Sequence, residues 1–255
     1  MRAGSKTPSE TYTEPAASSS AAIAARVSAL DWPAVHTGLD AEGFAVLPGL
    51  LGATECAGIA ALYADGNYFR SHISMARHGF GRGEYKYFQY PLPSLVADLR
   101  EALYPELAKA ANRWSTMLRV NRNYPANHAA FLELCRAAGQ LRPTPLLLQY
   151  GAGDYNCLHQ DLYGDQVFPI QVAILLSEPD SDFTGGEFVL TEQRPRMQSR
   201  ASVVPLRRGD AAAFAVHHRP MRGTRGAYRV TMRHGVSTVR SGRRHTLGII
   251  FHDAK

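Results

Sequence analysis

The sequence has few cysteines, and none of them is arranged as a metal-binding or redox pair. Its three cysteines, Cys56, Cys135 and Cys157, are widely spaced and form no CxxC motif. Such a set argues against a disulfide framework and against a cysteine-ligated zinc site, and it fits a reducing compartment. We therefore expect a cytoplasmic protein.

Long apolar stretches are absent as well. No uninterrupted apolar run reaches the ~18 residues that a membrane-spanning helix needs. Residues 1–20, rich in Ser, Thr, Ala and Pro, lack the apolar segment of a secretory signal. We predict a disordered N-terminal tail over residues 1–20 and no membrane partner. The chain has neither an internal repeat nor a glycine-rich phosphate loop.

Acidic residues are scarce in the C-terminal quarter of the chain. Residues 191–255 hold 13 Arg and 1 Lys against three acidic residues, a net charge of +11, whereas residues 1–190 carry a net charge of −5. An arginine-rich region of this kind attracts nucleic acid, phosphate or an acidic partner. A solvated surface with no partner is the alternative, and the composition does not separate the two.

Apolar residues make up 45% of the chain, which is enough for a sizeable core. A short apolar run between Gly43 and Pro48 predicts a strand. The rest of the N-terminal part has helical composition, and the predicted helices are Ala21–Leu30, 55–64 with Thr54 as N-cap, 94–119 with an interruption at Pro105, and 126–139.

From Pro145 onward, short β-rich runs alternate with glycine-containing turns. The predicted strands are 145–150, 169–177, 186–191, 201–206, 211–216, 228–233 and 245–252. Several short strands at near-regular spacing are typical of a sandwich or barrel. We therefore predict a helical N-terminal layer packed on a C-terminal β-sandwich within one catalytic domain.

The most distinctive local pattern is His159-Gln160-Asp161. Positions i and i+2 on an extended chain point to the same face, so an imidazole nitrogen and a carboxylate oxygen can bind one metal ion. A third ligand from a distant strand completes a facial triad that leaves coordination positions open, which suits non-haem Fe(II). An isolated HxD also occurs by chance, so the presence of a third ligand decides whether this one belongs to a metal site.

The distal histidine has five candidates, of which one stands in a suitable setting. The candidates are His217, His218, His234, His245 and His252. His234 is followed ten residues later by Arg244, which opens an apolar run ending at Phe251. An arginine on such a strand can bind a carboxylate through two parallel hydrogen bonds.

Four further motifs stand in a fixed order around these residues. They are Leu148–Asp154 before the HxD, Gly185-Gly186-Glu187-Phe188, Arg208-Gly209-Asp210 followed by an apolar run to Phe214, and His234 with Ser241-Gly242-Arg243-Arg244. Together with the HxD they resemble the 2-oxoglutarate- and Fe(II)-dependent dioxygenases over roughly residues 145–253. The resemblance implies an α+β fold: a double-stranded β-helix (jelly roll) with N-terminal supporting helices. It implies a single domain over 21–255, with a helical part at 21–144 and a jelly-roll core at 145–253.

The resemblance also implies roles for individual residues. His159, Asp161 and His234 correspond to the iron ligands of the family. Arg244 corresponds to the partner of the distal 2-oxoglutarate carboxylate, with the adjacent Arg243 as second choice. Tyr150 and Thr246 correspond to residues that contact the same co-substrate. For Tyr150, packing in the core is an alternative role.

The remaining histidines receive other interpretations. We expect His217 and His218 to be loop residues near the mouth of the pocket, because no third ligand accompanies them. His245 and His252 are expected to be structural.

The cofactors and chemistry follow from the same resemblance. It implies Fe(II), 2-oxoglutarate as co-substrate and O₂, with ascorbate as reductant. It implies an enzyme that oxidises a C–H bond of its substrate with release of succinate and CO₂.

The resemblance that bears most strongly on the substrate is to enzymes that act on nucleic acid. Residues 143–161 resemble the AlkB nucleic-acid dealkylases, and residues 184–200 resemble a prokaryotic oxygenase family thought to act on damaged DNA. A Gly-rich segment within residues 72–93 interleaves basic and aromatic residues, so it is either a lid that stacks a flipped base or an ordinary packed hairpin. Arginines outside the co-substrate site remain for a phosphate-bearing partner such as single-stranded or damaged nucleic acid; these are Arg194, Arg196, Arg200, Arg219, Arg222 and Arg225.

Two departures from the AlkB pattern keep other substrates open. Ile250 stands where those enzymes carry a second arginine, and Leu148 stands where they carry an asparagine. The retained features are shared with prolyl and other protein hydroxylases. A hydroxylase of a protein side chain or small molecule is therefore the first alternative, and a non-catalytic metal-binding jelly-roll module is the second.

Overall fold

The computed structural model of the protein describes residues 20–224 and 226–255. The predicted N-terminal tail lies outside these residues except for Ser20, which begins the first helix. The α-helices are α1 (Ser20–Ser28), α2 (Trp32–Glu42), α3 (Ala53–Ala61), α4 (Ser94–Met117) and α5 (His128–Ala137). Short 3₁₀ turns cover Leu62–Ala64, Gly66–Tyr68 and Met75–His78.

Fifteen strands are formed by the described residues. Up to Leu175 they are β1 (Phe44–Leu47), β2 (Phe69–Ser74), β3 (Gly81–Arg82), β4 (Glu84–Phe88), β5 (Leu146–Tyr150), β6 (Tyr155–His159) and β7 (Ile170–Leu175). The later ones are β8 (Phe183–Gly185), β9 (Phe188–Gln193), β10 (Arg200–Val204), β11 (Ala211–Ala215), β12 (His218–Gly223), β13 (Gly226–Val236), β14 (Val239–Gly242) and β15 (Arg244–Ile249).

Two large antiparallel sheets hold most of these strands. The major sheet has the order β1-β11-β7-β15-β5-β4-β2. The minor sheet has the order β10-β9-β13-β6-β3, with β12 also paired to β13, and β8 and β14 form a separate ribbon. The fold is therefore a mixture of helices and antiparallel sheets.

Side-chain alternation along the major sheet places a core on each of its faces. On β15, Leu247 and Ile249 pack into the large core that also contains the buried side of α4. Tyr150 of β5 and Phe214 of β11 belong instead to a second core that includes Phe188 of the minor sheet. Because successive strand residues face opposite sides, Arg244 and Thr246 face the space between the two sheets.

Some helical boundaries differ from the sequence prediction. Pro105 does not interrupt α4, which runs continuously through it. A proline removes one backbone hydrogen bond of a helix, but burial of Leu99, Leu103 and Leu107 against the core holds this helix together.

The start of α3 also differs from the prediction. The N-cap is Gly52 rather than Thr54, because the Glu55 carboxylate accepts a hydrogen bond from the Gly52 N–H at 2.7 Å. The same carboxylate accepts two hydrogen bonds from Arg26 of α1 at 2.6 Å. The beginning of α3 is therefore set by a tertiary ion pair as well as by local capping.

The part predicted as helical, residues 21–144, contains strands as well. β1 was expected, and a packed hairpin was one of the two alternatives for residues 72–93, which contain β3, β4 and the second half of β2. The strands β2 and β4 form an antiparallel hairpin, and β4 pairs with β5 at the edge of the major sheet. These strands have no strict apolar alternation, so pairing between strands fixes them rather than a local pattern: β4 pairs with β2 and β5, and β3 pairs with β6.

Among the residues that the structure describes, no helix combines the length and apolar character that crossing a membrane requires.

Candidate active site

A cavity of about 240 Å³ lies between the two sheets. Its walls carry all six side chains that the sequence singled out as metal or co-substrate ligands, namely Tyr150, His159, Asp161, His234, Arg244 and Thr246. Around them the wall is mainly apolar and aromatic. The cavity therefore combines a few polar groups with a largely apolar lining, as ligand sites commonly do.

The pairing of β6 with β13 brings the histidines together. His159 ends β6 and lies directly opposite His234 of β13, with a register shift immediately after His234. The two backbones approach closely there: a Cβ on Gly235 would lie 2.7 Å from the Asn156 carbonyl oxygen. Glycine at this position is thus required for β6 and β13 to meet beside the histidines.

The three candidate metal ligands converge on one point. Nε2 of His159 lies 3.5 Å from Oδ1 of Asp161, and Nε2 of His234 lies 3.4 Å from Oδ2. The Nδ1–H of His159 donates to the Cys157 carbonyl oxygen at 2.8 Å, so Nε2 is the ring nitrogen that faces the carboxylate. Such a backbone bond to the second ring nitrogen is the usual support of a metal-binding histidine.

The electrostatics of the cluster favour the forms that bind a metal. Burial, and then the charge of His159, lower the pKa of His234. Burial opposes ionisation of Asp161, but its contacts with the two histidines and the Tyr163 hydroxyl hold its pKa below the usual range. A neutral imidazole and an ionised carboxylate are the forms that bind a metal ion, so both shifts favour metal binding by His234 and Asp161.

These residues fit a first-row divalent ion. Nε2 of His159 and Nε2 of His234 lie 3.5 and 3.4 Å from the two oxygens of Asp161, separations that two donors of one ion with bonds of about 2 Å can have. Their ligand atoms all lie within 4.8 Å of one another, and no other group of three potential ligands is found in the described part of the chain. Two imidazoles and one carboxylate are the donor set of non-haem Fe(II) sites.

Arg244 supplies a buried positive charge in the same cavity. Its side chain is 2% exposed and donates to the Thr246 hydroxyl. It forms no ion pair with any described residue, and its Nε–H has no hydrogen-bond partner among them. Burial lowers its pKa to about 10, so the guanidinium is charged at neutral pH. A buried cation without a counter-ion is costly, and a bound carboxylate would supply that counter-ion.

The space for Arg244 depends on the glycine pair before β9. Gly186 has a φ of +62°, and a Cβ there would lie 3.0 Å from Cδ of Arg244 and 2.8 Å from Val239. Only glycine combines this backbone conformation with that clearance.

Arg243 does not enter this cavity. Its N–H donates to the Asp182 carbonyl oxygen, and its side chain lines a separate surface depression beside α3. Arg243 lies between β14 and β15, whereas Arg244 is the first residue of β15 and faces the cavity.

Tyr150 and Thr246 lie next to Arg244 on the cavity wall. Tyr150 is opposite Arg244 in the β5–β15 register, and the guanidinium lies 5.6 Å from its ring. The Tyr150 hydroxyl accepts a hydrogen bond from Asn156 at 3.4 Å, and burial raises its pKa to about 12. The phenol therefore keeps its proton and is able to donate a hydrogen bond to a ligand.

Of the two histidines expected in a loop near the pocket mouth, His217 lies in a bend, whereas His218 belongs to a strand. Neither lines the cavity; their rings pack together at 3.5 Å, and His218 begins β12 opposite Thr231. Thr231 precedes His234 by three positions on β13, a separation of roughly 10 Å along a strand. His245 and His252 are engaged elsewhere, by Gln149 at 3.1 Å and by the Phe168 N–H at 3.2 Å.

Several residues of the cavity have no counterpart in the sequence prediction. The amide nitrogen of Gln171 is buried in β7 without a partner among the described residues. Tyr163 donates to Oδ1 of Asp161 at 2.8 Å, and Tyr85 and Tyr87 reach the cavity from the β2–β4 hairpin. The detectable signal for Gln171 is its polarity within an otherwise apolar run, whereas the tyrosines come together only through tertiary contacts.

Burial and then the Asp161 charge raise the pKa of Tyr163 well above its usual range. Its hydroxyl therefore stays protonated and acts as a hydrogen-bond donor to the carboxylate.

The mouth of the cavity has an exposed aromatic residue and unpaired basic residues. Phe80 lines the cavity yet is 48% exposed, and its ring stacks on His78 at 5.3 Å with an interplanar angle of 22°. The adjacent Arg77 and Arg82 are exposed, and neither side chain forms an ion pair with residues 20–224 or 226–255. Aromatic and basic residues are therefore interleaved on the exposed segment that carries Phe80 into the cavity wall.

Of the C-terminal arginines expected to remain for a phosphate-bearing partner, one is buried and two form ion pairs. Arg219 is 1% exposed and hydrogen-bonds to the Glu192 carboxylate. Arg194 donates to the same carboxylate at 3.0 Å, and Arg200 donates to Glu42 at 2.6 Å. The charge count of the region overstates its free charge because a buried glutamate pairs with several of the arginines.

Comparison with known proteins gives relatives of two kinds. A family model described as "oxygenase, catalysing oxidative methylation of damaged DNA" matches residues 83–254. Two uncharacterized proteins of Mycobacterium tuberculosis, from strains CDC 1551 and H37Rv, are each 48% identical over 167 residues, which cover 66% of this chain and 72% of theirs.

Solved structures with a similar fold include two prolyl hydroxylases. A Pseudomonas putida prolyl-4-hydroxylase has a TM-score of 0.51 at 16% identity, covering 88% of this chain and 99% of its own. A Trichoplax adhaerens prolyl hydroxylase in complex with a hypoxia-inducible-factor peptide has the same score and identity, over 87% and 89%. A Burkholderia pseudomallei oxidoreductase of the 2OG-Fe(II) oxygenase family has a TM-score of 0.50 at 17% identity, over 88% and 92%.

The match of the family model extends over more than half of the chain and includes every residue of the metal cluster. The chain therefore belongs to the oxygenase family that this model describes, and it shares its fold with the 2-oxoglutarate- and Fe(II)-dependent oxygenases.

Proposed function

We propose that this protein is an Fe(II)- and 2-oxoglutarate-dependent dioxygenase that oxidises an alkyl group on a nucleic-acid base. The observation that carries the proposal is the location of His159, Asp161 and His234 in one cavity with the buried, unpaired Arg244. We further propose that residues 21–255 form one domain and that its two large sheets are the halves of a double-stranded β-helix.

In this account His159, Asp161 and His234 hold the metal ion. Together they contribute one negative charge, so a divalent ion bound there keeps a net positive charge that attracts anionic co-substrates. Fe(II) with 2-oxoglutarate and O₂ supplies the oxidation of a substrate C–H bond, with succinate and CO₂ as products.

Arg244 binds the carboxylate of 2-oxoglutarate that lies away from the metal. Its buried guanidinium lacks a counter-ion among the described residues, and Thr246 orients it through a hydrogen bond. The Tyr150 hydroxyl is a further donor on the same wall. Phe188 and Phe214 pack beside His234, with ring centroids at 6.2 and 4.7 Å, and exclude water from the metal cluster.

A nucleic-acid substrate is supported by the groups at the cavity mouth. Phe80, stacked on His78, presents an aromatic face that suits a base removed from its stack. Arg77 and Arg82 are exposed cations close by in the chain and suit the phosphate backbone. The description of the family model, which names damaged DNA, agrees with this chemistry.

The test is an assay of methylated single-stranded oligonucleotides and a peptide library side by side, with Fe(II), 2-oxoglutarate and ascorbate. We expect succinate and an aldehyde in equal amounts from the oligonucleotides, and no turnover by His159→Ala. Turnover of the peptides but not of the oligonucleotides would show that the substrate is a protein rather than a nucleic acid. Equal succinate release by the wild type and His159→Ala would overturn the enzyme proposal.

The mouth residues have a test of their own. We expect Phe80→Ala and Arg82→Ala to weaken binding of single-stranded oligonucleotide and the Arg82 variant to lower its salt dependence. Binding of 2-oxoglutarate is expected to be unchanged in Arg82→Ala, because Arg82 does not line the cavity that holds Arg244.

A further inference from the structure

A chain of two tyrosine hydroxyls ends on the candidate metal-binding carboxylate. The Tyr163 hydroxyl donates to Oδ1 of Asp161 at 2.8 Å, and the Tyr87 hydroxyl donates to the Tyr163 hydroxyl at 3.2 Å. The two rings meet edge to face, with centroids 6.4 Å apart. Oδ2 of Asp161 lies 3.4 Å from Nε2 of His234 and receives no hydrogen bond from a tyrosine of the described residues, whereas Oδ1 also lies 3.5 Å from Nε2 of His159.

Asp161 needs an external support because no strand holds it. β6 ends at His159 and β7 begins at Ile170, so residues 160–169 form a connection without helix or strand. His159 and His234 are fixed by the β6–β13 pairing, whereas the Asp161 carboxylate depends on contacts made within and around this connection.

The buried side chain of Gln140 holds the connection 160–169 in place. The Gln140 side-chain oxygen accepts hydrogen bonds from the N–H groups of Asp165 at 3.0 Å and Gln166 at 2.7 Å. Gly164, at a φ of +80°, allows this approach, since a Cβ there would lie 2.5 Å from the Gln140 amide carbon. Arg122 also donates to the Asp165 carbonyl oxygen at 2.8 Å. The backbone beside Tyr163 is therefore fixed, and the direction of its hydroxyl follows.

We propose that Tyr163 is a positioning residue that holds Oδ1 of Asp161 and leaves Oδ2 as the single carboxylate oxygen for the metal, and that Tyr87 supports it. This inference rests on the proposed function, in which Asp161 is a metal ligand. It also gives a role to the aromatic segment of residues 72–93: through Tyr87 the β2–β4 hairpin is linked to the metal-binding carboxylate.

The position of Tyr87 is itself well determined. It lies on β4, which pairs with both β2 and β5, so its backbone is held from two sides. The Arg70 guanidinium covers its ring at 4.5 Å and donates to the Pro143 carbonyl oxygen at 2.9 Å. Tyr87 thus presents its hydroxyl to Tyr163 from a rigid element.

The test measures metal affinity rather than turnover. Tyr163→Phe removes only the hydroxyl, and we expect Co(II) or Mn(II) to bind about 10-fold or more weakly, as is usual when a hydrogen bond to a metal ligand is lost. The visible spectrum of the Co(II) form is expected to change because the carboxylate is free to turn. Tyr87→Phe should weaken binding less, and the double variant should bind as Tyr163→Phe does, because Tyr87 acts through Tyr163.

Tyr155→Phe is the matched control, since it removes a tyrosine hydroxyl on β6 that makes no hydrogen bond with the described residues; its metal affinity should be unchanged. Unfolding temperatures of all variants show whether each is folded, and Tyr87→Phe carries the test if Tyr163→Phe is not. Wild-type affinity and an unchanged Co(II) spectrum in Tyr163→Phe overturn the inference alone. If the wild type and His159→Ala bind Co(II) equally, the proposed metal site itself is lost.

Discussion

At the scale of single residues, Arg244 determines the chemistry of the cavity. It is a fully buried cation with no counter-ion among the described residues. A charge removed from water without a partner destabilises the folded state. The ligand-free protein therefore keeps an unfavourable charge that an anionic co-substrate neutralises.

Replacing Arg244 by methionine tests this interpretation through stability. We expect Arg244→Met to raise the free energy of unfolding of the ligand-free protein by about 1–4 kcal/mol. The stabilisation that 2-oxoglutarate gives to the metal-loaded wild type is expected to disappear. Urea unfolding with and without 2-oxoglutarate measures both effects.

Arg243→Met is the matched control, because Arg243 lies outside the cavity. It should keep the stabilisation by 2-oxoglutarate. The interpretation of Arg244 fails if its variant is stabilised by 2-oxoglutarate as strongly as the wild type.

At the scale of secondary-structure elements, β13 organises the site. It pairs with β6, β9 and β12, and it carries His234 at the point where its register with β6 shifts. The close approach at this point depends on Gly235, where any side chain would meet the Asn156 backbone.

Gly235→Ala should therefore separate β6 from β13. We expect a loss of about 1–3 kcal/mol in the free energy of unfolding and a weaker affinity for Mn(II), because His159 and His234 move apart. Gly66→Ala is the control, since a Cβ at Gly66 meets no atom within 4 Å. Unchanged Mn(II) affinity in Gly235→Ala is the result that contradicts this role of β13.

Elements with strong local patterns were predictable from the sequence, and those fixed by pairing were not. The apolar runs that form β7 and β11 are buried on both faces, so their composition alone indicates strands. The hairpin β2–β4 is only partly buried along its length, so no period distinguishes it. The metal and co-substrate residues are spaced in recognisable motifs, but Tyr87, Tyr163 and Gln171 join the cavity only through contacts between distant parts of the chain.

At the scale of the whole molecule, a buried polar layer joins the helices to the C-terminal segment. Arg100 of α4 forms an ion pair with Asp253 at 2.7 Å and donates to the Ile250 carbonyl oxygen at 2.9 Å. His128 of α5 donates to the Phe251 carbonyl oxygen at 2.8 Å, and His252 accepts from the Phe168 N–H. These contacts tie the end of the chain to the helical layer behind the major sheet.

This layer makes the stability of the protein depend on pH. Burial, and then the Arg100 charge, lower the pKa of His128 and of His252 to about 3. In the unfolded chain these histidines bind protons near pH 6.5. Between these values the unfolded state binds more protons, so stability is full above about pH 6.5 and falls as the pH decreases, by up to about 1.4 kcal/mol per pH unit for each histidine.

His128→Gln removes one of these groups and keeps a side chain able to donate to the Phe251 carbonyl oxygen. We measure the free energy of unfolding in urea at pH 7, 6 and 5. We expect it to fall less steeply with decreasing pH in the variant than in the wild type, by up to about 1.4 kcal/mol per pH unit. Parallel pH profiles for the two proteins would show that His128 is not buried in its neutral form.

The central claim is that one cavity binds both a divalent metal and 2-oxoglutarate, through the His159–Asp161–His234 cluster and Arg244. Its most direct test is a calorimetric titration of 2-oxoglutarate into the protein with and without Mn(II). The account predicts one 2-oxoglutarate per chain, bound tightly only when Mn(II) is present, with that binding lost in Asp161→Ala and strongly weakened in Arg244→Met. Equal binding of 2-oxoglutarate by the wild type, Asp161→Ala and Arg244→Met would contradict it.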